Sequence, residues 1–478
     1  MYKVLSNSGY KIKKSEYPCV EITQIKRDLT VNPFSYGDFD KKDTKFSVYL
    51  ESPSKLYVPR FYGLERFGEP TETRFTDPEP IHVAFKGSLR PEQEPIAQLY
   101  LDSAYKVGGG LISLKCGGGK TVLALYLASV LGLKTIVLVH KDFLMTQWRD
   151  RIGEFLPGAK IGKVQQNTVE IAGKDIVLAM VQSLSMKEYP EHTFSSFGLA
   201  IFDECHHLGA EVFHRAMGKV ATRYSLGLSA TPNRKDGLRK VFEWYIGPMV
   251  YMTKDKNKDY IEVRIHEYTH ESPEYHKPET LYNGKPCYPR MINNICGFQP
   301  RREFVLDLVR QEHALGRKIL ILSDRRDYLN LTLEALNAYQ SGVAGLYVGG
   351  MRPESLRDSQ EKDIILGTFS MASEGMDIPK LNTIVLASPK SDVVQSVGRI
   401  LREKAEKRRF HPLVIDIKDA HPNLKFFQGQ CTKRLKFYQS QNYDIYDVVG
   451  DTKTKIEKAK RGRKPKVPVY QMDCLIED

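Results

Sequence analysis

The stretch Leu111-Ile112-Ser113-Leu114-Lys115-Cys116-Gly117-Gly118-Gly119-Lys120-Thr121-Val122-Leu123-Ala124-Leu125-Tyr126-Leu127-Ala128-Ser129-Val130-Leu131 runs from a short apolar segment through three glycines into a longer one. The first segment has the length of a buried strand and the second the length of a helix, so the glycines mark a sharp strand-to-helix turn. Such a turn suits phosphate. Glycines let backbone N–H groups approach phosphate oxygens, the helix N-terminus adds positive potential, Lys120 can balance β- and γ-phosphate charge, and Thr121 can ligate Mg2+. Cys116, Gly117, Gly118, Gly119, Lys120 and Thr121 are therefore the candidate nucleotide loop, with ATP and Mg2+ the cofactors it implies. The first position of the GxxxxGK[ST] pattern holds Leu114 instead of glycine.

Outward from this loop, short apolar runs alternate with helical patterns. Thr135–Val139, Ile176–Met180, Leu199–Phe202 and Leu226–Leu228 read as buried parallel strands, with helix-type spacing over Thr121–Leu131 and Phe143–Phe155. This predicts an α/β domain over residues 86–247. A second series, Lys318–Leu322, Gly345–Val348, Asp363–Leu366, Thr383–Ala387 and Leu413–Asp416, predicts another over residues 300–442. The polar stretch 248–299, with Asn283-Gly284 and several prolines, reads as connector or insert. Residues 1–85, rich in Tyr, Phe, Pro and charge, predict a small β-rich N-terminal module. Residues 443–478 read as a basic tail, disordered over Lys453–Lys466, where apolar residues nearly vanish.

A second chemical element is Leu199-Ala200-Ile201-Phe202-Asp203-Glu204-Cys205-His206, an apolar strand ending in two acids. Ligands of open α/β sheets bind at the C-terminal ends of the strands. Asp203 is the candidate for holding Mg2+ through its water shell, and Glu204 for orienting or deprotonating an attacking water. Cys205, His206 and His207 are sequence neighbours that do not readily converge on one ion, so zinc is not indicated.

Together with Ser229-Ala230-Thr231, the loop Cys116–Thr121 and the acids Asp203–His206 resemble motifs I, II and III of superfamily 2 helicases and translocases. Leu89-Arg90-Pro91-Glu92-Gln93 resembles the segment whose glutamine, here Gln93, reads adenine, and Val137–Trp148 resembles motif Ia. Thr368–Pro379 resembles motif V, and Gln395-Ser396-Val397-Gly398-Arg399-Ile400-Leu401-Arg402 resembles motif VI, the QxxGRxxR pattern. Leu114–Thr121 and Gly227–Gly237 are most similar to the XPB-type branch, which includes repair and transcription helicases, phage DNA-remodelling helicases and helicases of large DNA viruses. Lys115 stands where that branch commonly has proline, and DECH replaces the more usual DEVH or DEAH.

The resemblance implies two tandem RecA-like parallel-sheet domains and a nucleic-acid-dependent ATPase of 3′ to 5′ polarity. Gln395, Arg399 and Arg402 would join the catalytic set from the second domain, Gly375 and Asp377 would lie near the ATP cleft, and Ser229, Thr231 and Thr368 would couple ATP state to the bound strand. Arg399 and Arg402, three residues apart on an expected helix, share one face and can supply charge around a γ-phosphate.

A formal net charge of +13, with 41% hydrophobic and 27% charged residues, describes a folded chain suited to a polyanionic partner. Thr452–Lys466 alone holds eight Lys or Arg against Glu457. Within it, Arg461-Gly462-Arg463 resembles the core of an AT-hook for a narrow A·T minor groove, with Lys464 interrupting the usual RGRP. A nuclear import signal or a phosphate-seeking arm accounts for it equally. Seven scattered cysteines without a CxxC signal neither disulfides nor zinc and suit a reducing compartment. The longest uncharged stretch, Thr121–Leu133, is shorter than the roughly 18 residues of a membrane span. The expectation is a soluble intracellular protein of the nucleus or a viral replication compartment, with no membrane partner. The expected activity is that of an ATP-dependent DNA helicase or duplex translocase. RNA unwinding or transcript release, and nucleotide-gated DNA binding without strand separation, keep the same site and remain open.

Overall fold

The computed structural model describes residues 1–32, 45–114, 117–190, 192–204, 210–229, 239–253, 260–374, 376, 378, 380–401, 403, 407–450 and 452–457. The chain divides into two compact units, one of Met1–Asp255 with Ser370–Pro379 and Gln395–Arg402, the other of Lys256–Phe369 with Lys380–Val394 and Glu403–Asp478.

The first unit begins with a five-stranded sheet in the order Leu50–Glu51, Lys55–Val58, Gly9–Lys13, Lys3–Ser6, Glu72–Arg74. Alternation decides which face is buried. Tyr10, Ile12, Leu56 and Val58 point into a core with Ile25 and Leu29, while Lys11, Lys13, Lys55 and Tyr57 take the other face. Helix Arg60–Phe67 fastens this module to the larger domain: Tyr62 meets Trp244 edge-on, with centroids 5.4 Å apart, and Arg60 Nη1 donates to the Arg223 carbonyl at 2.7 Å.

The larger domain is an eight-stranded sheet in the order Thr168–Val169, Ile161–Gln165, Ile176–Met180, Thr135–Val139, Leu199–Phe202, Tyr224–Ser229, Gly109–Ser113, Met249–Met252. All neighbours are parallel except the hairpin formed by the first two. The central strands carry apolar residues on both faces because helices cover both, and two separate cores result. Each fully buried Leu, Ile or Val there contributes about 1.5–3 kcal/mol.

The second unit holds another eight-stranded sheet, in the order Ala344–Tyr347, Ile364–Gly367, Ile319–Leu322, Thr383–Leu386, Leu413–Asp419, Glu262–Tyr268, Asp444–Val449, Thr452–Lys455. Only the last pair is antiparallel. The two sheets are the tandem RecA-like pair expected from the resemblance.

Residues 248–299 do more than connect. Met249–Met252 completes the first sheet, and Glu262–Tyr268 lies in the second between Leu413–Asp419 and Asp444–Val449. That strand begins with a charge, and ion pairs make its burial tolerable. Glu262 accepts from Arg264 Nε at 2.5 Å, Lys453 Nζ at 2.6 Å and His411 Nε2 at 3.2 Å. Burial works to raise the Glu262 carboxyl, yet the Lys453 and Arg264 hydrogen bonds hold it down at about 2.

The expectation of a tail over residues 443–478 also changes at its start: Asp444–Val449 and Thr452–Lys455 are strands of the second sheet. Ladder hydrogen bonds need no apolar side chains, and lysines on an outer strand discourage further pairing. Residues 458–478, with Arg461 and Arg463, lie outside the described residues.

Candidate functional site

Strand Gly109–Ser113 delivers the glycine loop, and the loop feeds helix Lys120–Leu131. Gly117 and Gly119 have φ of +76° and +74°, the left-handed region where a Cβ is unfavourable. A Cβ on Gly119 would also lie 2.5 Å from Gln93 Nε2. Gln93 is buried, and its amide nitrogen donates to the carbonyls of Gly118 at 3.0 Å and Gly119 at 3.2 Å. Arg90 Nη1 donates to the Gly117 carbonyl at 3.2 Å. In a planar trans peptide, C=O and the following N–H point in opposite directions. Clamping these three carbonyls therefore turns the N–H groups of Gly118, Gly119 and Lys120 the other way, as phosphate oxygens require.

One strand separates the loop from the acids, since Tyr224–Ser229 lies between Gly109–Ser113 and Leu199–Phe202. Ser229, buried at its end, is in register with Ser113, and its carbonyl accepts from Leu114 N at 3.1 Å. Asp203 is 7% exposed, and Trp148 Nε1 donates to its Oδ2 at 2.8 Å. Burial first, and the neighbouring Glu204 charge second, push the Asp203 carboxyl up to about 6, against the pull of Lys120 and the Trp148 hydrogen bond. Glu204 has φ +46° and pairs with Lys120, bringing loop and acids together. A left-handed non-glycine residue costs on the order of 1–3 kcal/mol and is held by its surroundings.

Thr121 occupies the first turn of the loop helix, half-buried. Its hydroxyl and the Asp203 carboxylate are hard oxygen donors. Among the described residues no group of three His, Cys, Asp or Glu could hold a metal.

Gln395 lies in a short helical turn, Val394–Val397, and is buried. Arg399 follows in a 3-10 turn, Gly398–Leu401, instead of on the continuous helix expected, because Gly398 disfavours α-helix at that point. It is buried, and its Nη1 donates to the Met376 carbonyl at 2.8 Å. Both residues group with the unit that holds the loop and the acids. Thr368 is half-buried, just beyond strand Ile364–Gly367. Cys116, Thr231, Gly375, Asp377 and Arg402 lie outside the described residues. Sequence reasoning missed the Trp148 tie to Asp203 and the Arg90 clamp; each sat inside a quoted motif without a role.

The fold and site define a nucleotide-using enzyme on tandem RecA-like helicase domains. Two families match: "Type III restriction enzyme, res subunit" over residues 86–234, and "Helicase conserved C-terminal domain" over residues 300–404. The chain is 36% identical over 465 residues to "Putative ATP-dependent RNA helicase L396" of Acanthamoeba polyphaga mimivirus, covering 95% of this chain and 88% of that protein. It is 28% identical over 320 residues to "Probable helicase D10" of Escherichia phage T5, covering 64% of this chain and 67% of that one. The solved structure of T4 UvsW aligns over 94% of this chain and 99% of its own, at 16% identity and a TM-score of 0.38. The chain belongs to the superfamily 2 helicases, ATP-dependent and acting on nucleic acid, and is related to viral helicases. Among the described residues no helix is long and apolar enough to cross a membrane.

Proposed function

We propose that this helicase is a DNA helicase or duplex translocase of the XPB-type branch, and that the loop and acids described above hydrolyse Mg-ATP. The observation that carries the catalytic part is the Lys120–Glu204 ion pair, which brings the loop to the acids Asp203 and Glu204 across one intervening strand. The N–H groups of Gly118, Gly119 and Lys120, with the Lys120 ammonium, take the phosphate oxygens; Gln93 holds the loop in shape and faces adenine. Thr121 and Asp203 would hold Mg2+, which would supply positive charge against the phosphates. Glu204 orients a water whose oxygen attacks the γ-phosphorus and accepts its proton as the bond to the β-phosphate oxygen breaks. Gln395, Arg399 and Arg402 place positive and hydrogen-bonding charge around the departing phosphoryl group, and Gly375 and Asp377 line the same cleft. Ser229, Thr231 and Thr368 pass the change in nucleotide state to the strand.

Duplex DNA is favoured by Arg461-Gly462-Arg463 in the basic tail, a sequence that resembles the core of an AT-hook for an A·T minor groove. An RNA track is the second reading, favoured by the names of the mimivirus relative and of "Putative ATP-dependent RNA helicase QP509L" from African swine fever virus (isolate Pig/Kenya/KEN-50/1950), 25% identical over 74% of this chain and 73% of that protein. The test is steady-state ATP hydrolysis with no polymer, single-stranded DNA, duplex DNA or RNA, followed by strand displacement on tailed duplexes. Stimulation by DNA is expected, and stimulation by RNA alone would overturn the assignment. Lys120→Ala and Glu204→Gln should each abolish turnover; wild-type rates in either would refute the catalytic roles.

A further inference from the structure

The N-terminal module lies outside both matched families, and one face of its sheet is unusual in charge. Lys13 and Lys55 sit directly opposite each other across the antiparallel ladder, with Lys11 opposite Tyr57 in the next pair on the same face. Like charges in directly opposed positions, with Cβ atoms about 4.5–5.5 Å apart, destabilise a sheet. Tyr2 offsets part of that cost, since the Lys13 and Lys55 ammoniums lie 5.1 and 5.0 Å from its ring centroid. Lys11 lies 5.7 Å from the Tyr57 ring in the same way.

No carboxylate completes the compensation. Among the described residues none of the three lysines forms an ion pair, and the nearby acids are engaged elsewhere. Glu16 accepts from the Tyr2 backbone N at 2.5 Å, Glu51 pairs with Lys14 and Lys26, and Glu72 pairs with Arg74. The fold thus carries three cations without a carboxylate partner, interleaved with two tyrosines, on a sheet face where Lys13 is exposed and Lys11, Lys55, Tyr2 and Tyr57 are half-buried.

We propose that this face is a second nucleic-acid contact, for a single strand, separate from the helicase core. Lysines on a sheet meet the phosphates of any polymer, but tyrosines among them add affinity only where bases are unstacked and their faces free. A duplex keeps its base faces inside and would use the lysines alone. The proposal rests on the nucleic-acid activity of the helicase domains, and it gives the module the task of holding a displaced or incoming strand.

The test uses the full chain and fluorescence anisotropy with a labelled oligothymidylate, an oligouridylate and a blunt duplex of equal length, titrated between about 50 and 200 mM salt. Each lysine–phosphate contact to a single strand contributes about 0.7 to the log–log salt slope. The triple variant Lys11→Gln/Lys13→Gln/Lys55→Gln should therefore lose about 2 from that slope and bind the single strand at least about tenfold more weakly at low salt. Its ATP hydrolysis without polymer, and at saturating strand, should match wild type. Tyr57→Leu should weaken single-strand binding with the slope unchanged and leave duplex binding alone. The matching Lys→Arg triple should restore wild-type behaviour, which separates lost charge from lost folding. The tighter of the two oligonucleotides identifies the strand as DNA or RNA. Wild-type affinity and slope in the Gln triple would overturn the proposal, as would a silent Tyr57→Leu with equal losses on duplex and single strand. A wild-type chain that binds no nucleic acid would overturn it through the helicase reading beneath it.

Discussion

Trp148→Phe isolates one hydrogen bond at the heart of the proposed site. The indole N–H donates to Asp203 Oδ2 at 2.8 Å with both side chains buried, so no water replaces it when the donor is removed. A hydrogen bond to a charged group is worth about 1.5–3 kcal/mol, equivalent to roughly 10- to 150-fold in an equilibrium constant. Phe preserves most of the ring packing against the strand Thr135–Val139 and its neighbours. The loss should fall on the carboxylate's ability to hold magnesium, because partners behind a metal ligand typically contribute about 10- to 100-fold in metal affinity. The assay is the Mg2+ dependence of ATP hydrolysis, joined by calorimetric binding of ATP with and without Mg2+. The half-saturating Mg2+ concentration should rise by about 10- to 100-fold, while metal-free nucleotide binding stays at its wild-type value. Superimposable Mg2+ curves for a folded Trp148→Phe would refute the reasoning, because Asp203 would then not depend on the indole for its orientation or would not serve the metal.

Gly119→Ala places a Cβ 2.5 Å from Gln93 Nε2 at φ +74°, so about 1–2 kcal/mol of backbone strain adds to displacement of the Gln93 clamp. ATP binding measured by filter retention should weaken at least about tenfold. Arg434→Met strips a fork from Asp416, which is fully buried and accepts from Arg434 Nε at 2.8 Å, Nη2 at 2.6 Å and the Tyr438 hydroxyl at 2.9 Å. Leaving that charge unpaired should cost about 3–5 kcal/mol in urea unfolding, and adding Asp416→Leu should recover most of it. Burial and the Arg264 charge hold the His266 imidazole down at about 4, with Asp416 pulling the other way. Below its ordinary value of about 6.5 the unfolded chain gains a proton that the folded chain refuses, so stability is full above that pH and falls as pH drops toward 4. Thermal melts across this window should show the acid limb in wild type and a flatter one in His266→Phe.

What the chain discloses of its own fold depends on how locally each element is stabilised. Ile319–Leu322 and Ile176–Met180 are buried on both faces, so their partners demand continuous apolar residues and the strands are legible as runs. Glu262–Tyr268, read as Glu-Val-Arg-Ile-His-Glu-Tyr, looks like part of a connector. Its charges are satisfied by Glu312, His411 and Lys453, remote residues invisible in any local window. The glycine loop and Asp203-Glu204 are legible because their chemistry is carried by adjacent residues. The Trp148 tie to Asp203 spans 55 residues, and the Gln93 grip on the loop carbonyls spans 25 or more, so neither leaves a spacing signature.

The order of strands in the second sheet bears on how the protein is made. Strand Glu262–Tyr268 leaves the ribosome early, yet both its neighbours, Leu413–Asp419 and Asp444–Val449, come from far downstream. At about 5–20 residues per second, the 144 residues between Tyr268 and Leu413 take roughly 7 to 30 s to emerge. During that interval a strand with Val263 and Ile265 on one face has neither edge paired. Its alternating Glu, Arg and His keep it soluble while it waits, so the same charges that concealed the strand from a reading of the sequence protect it during synthesis.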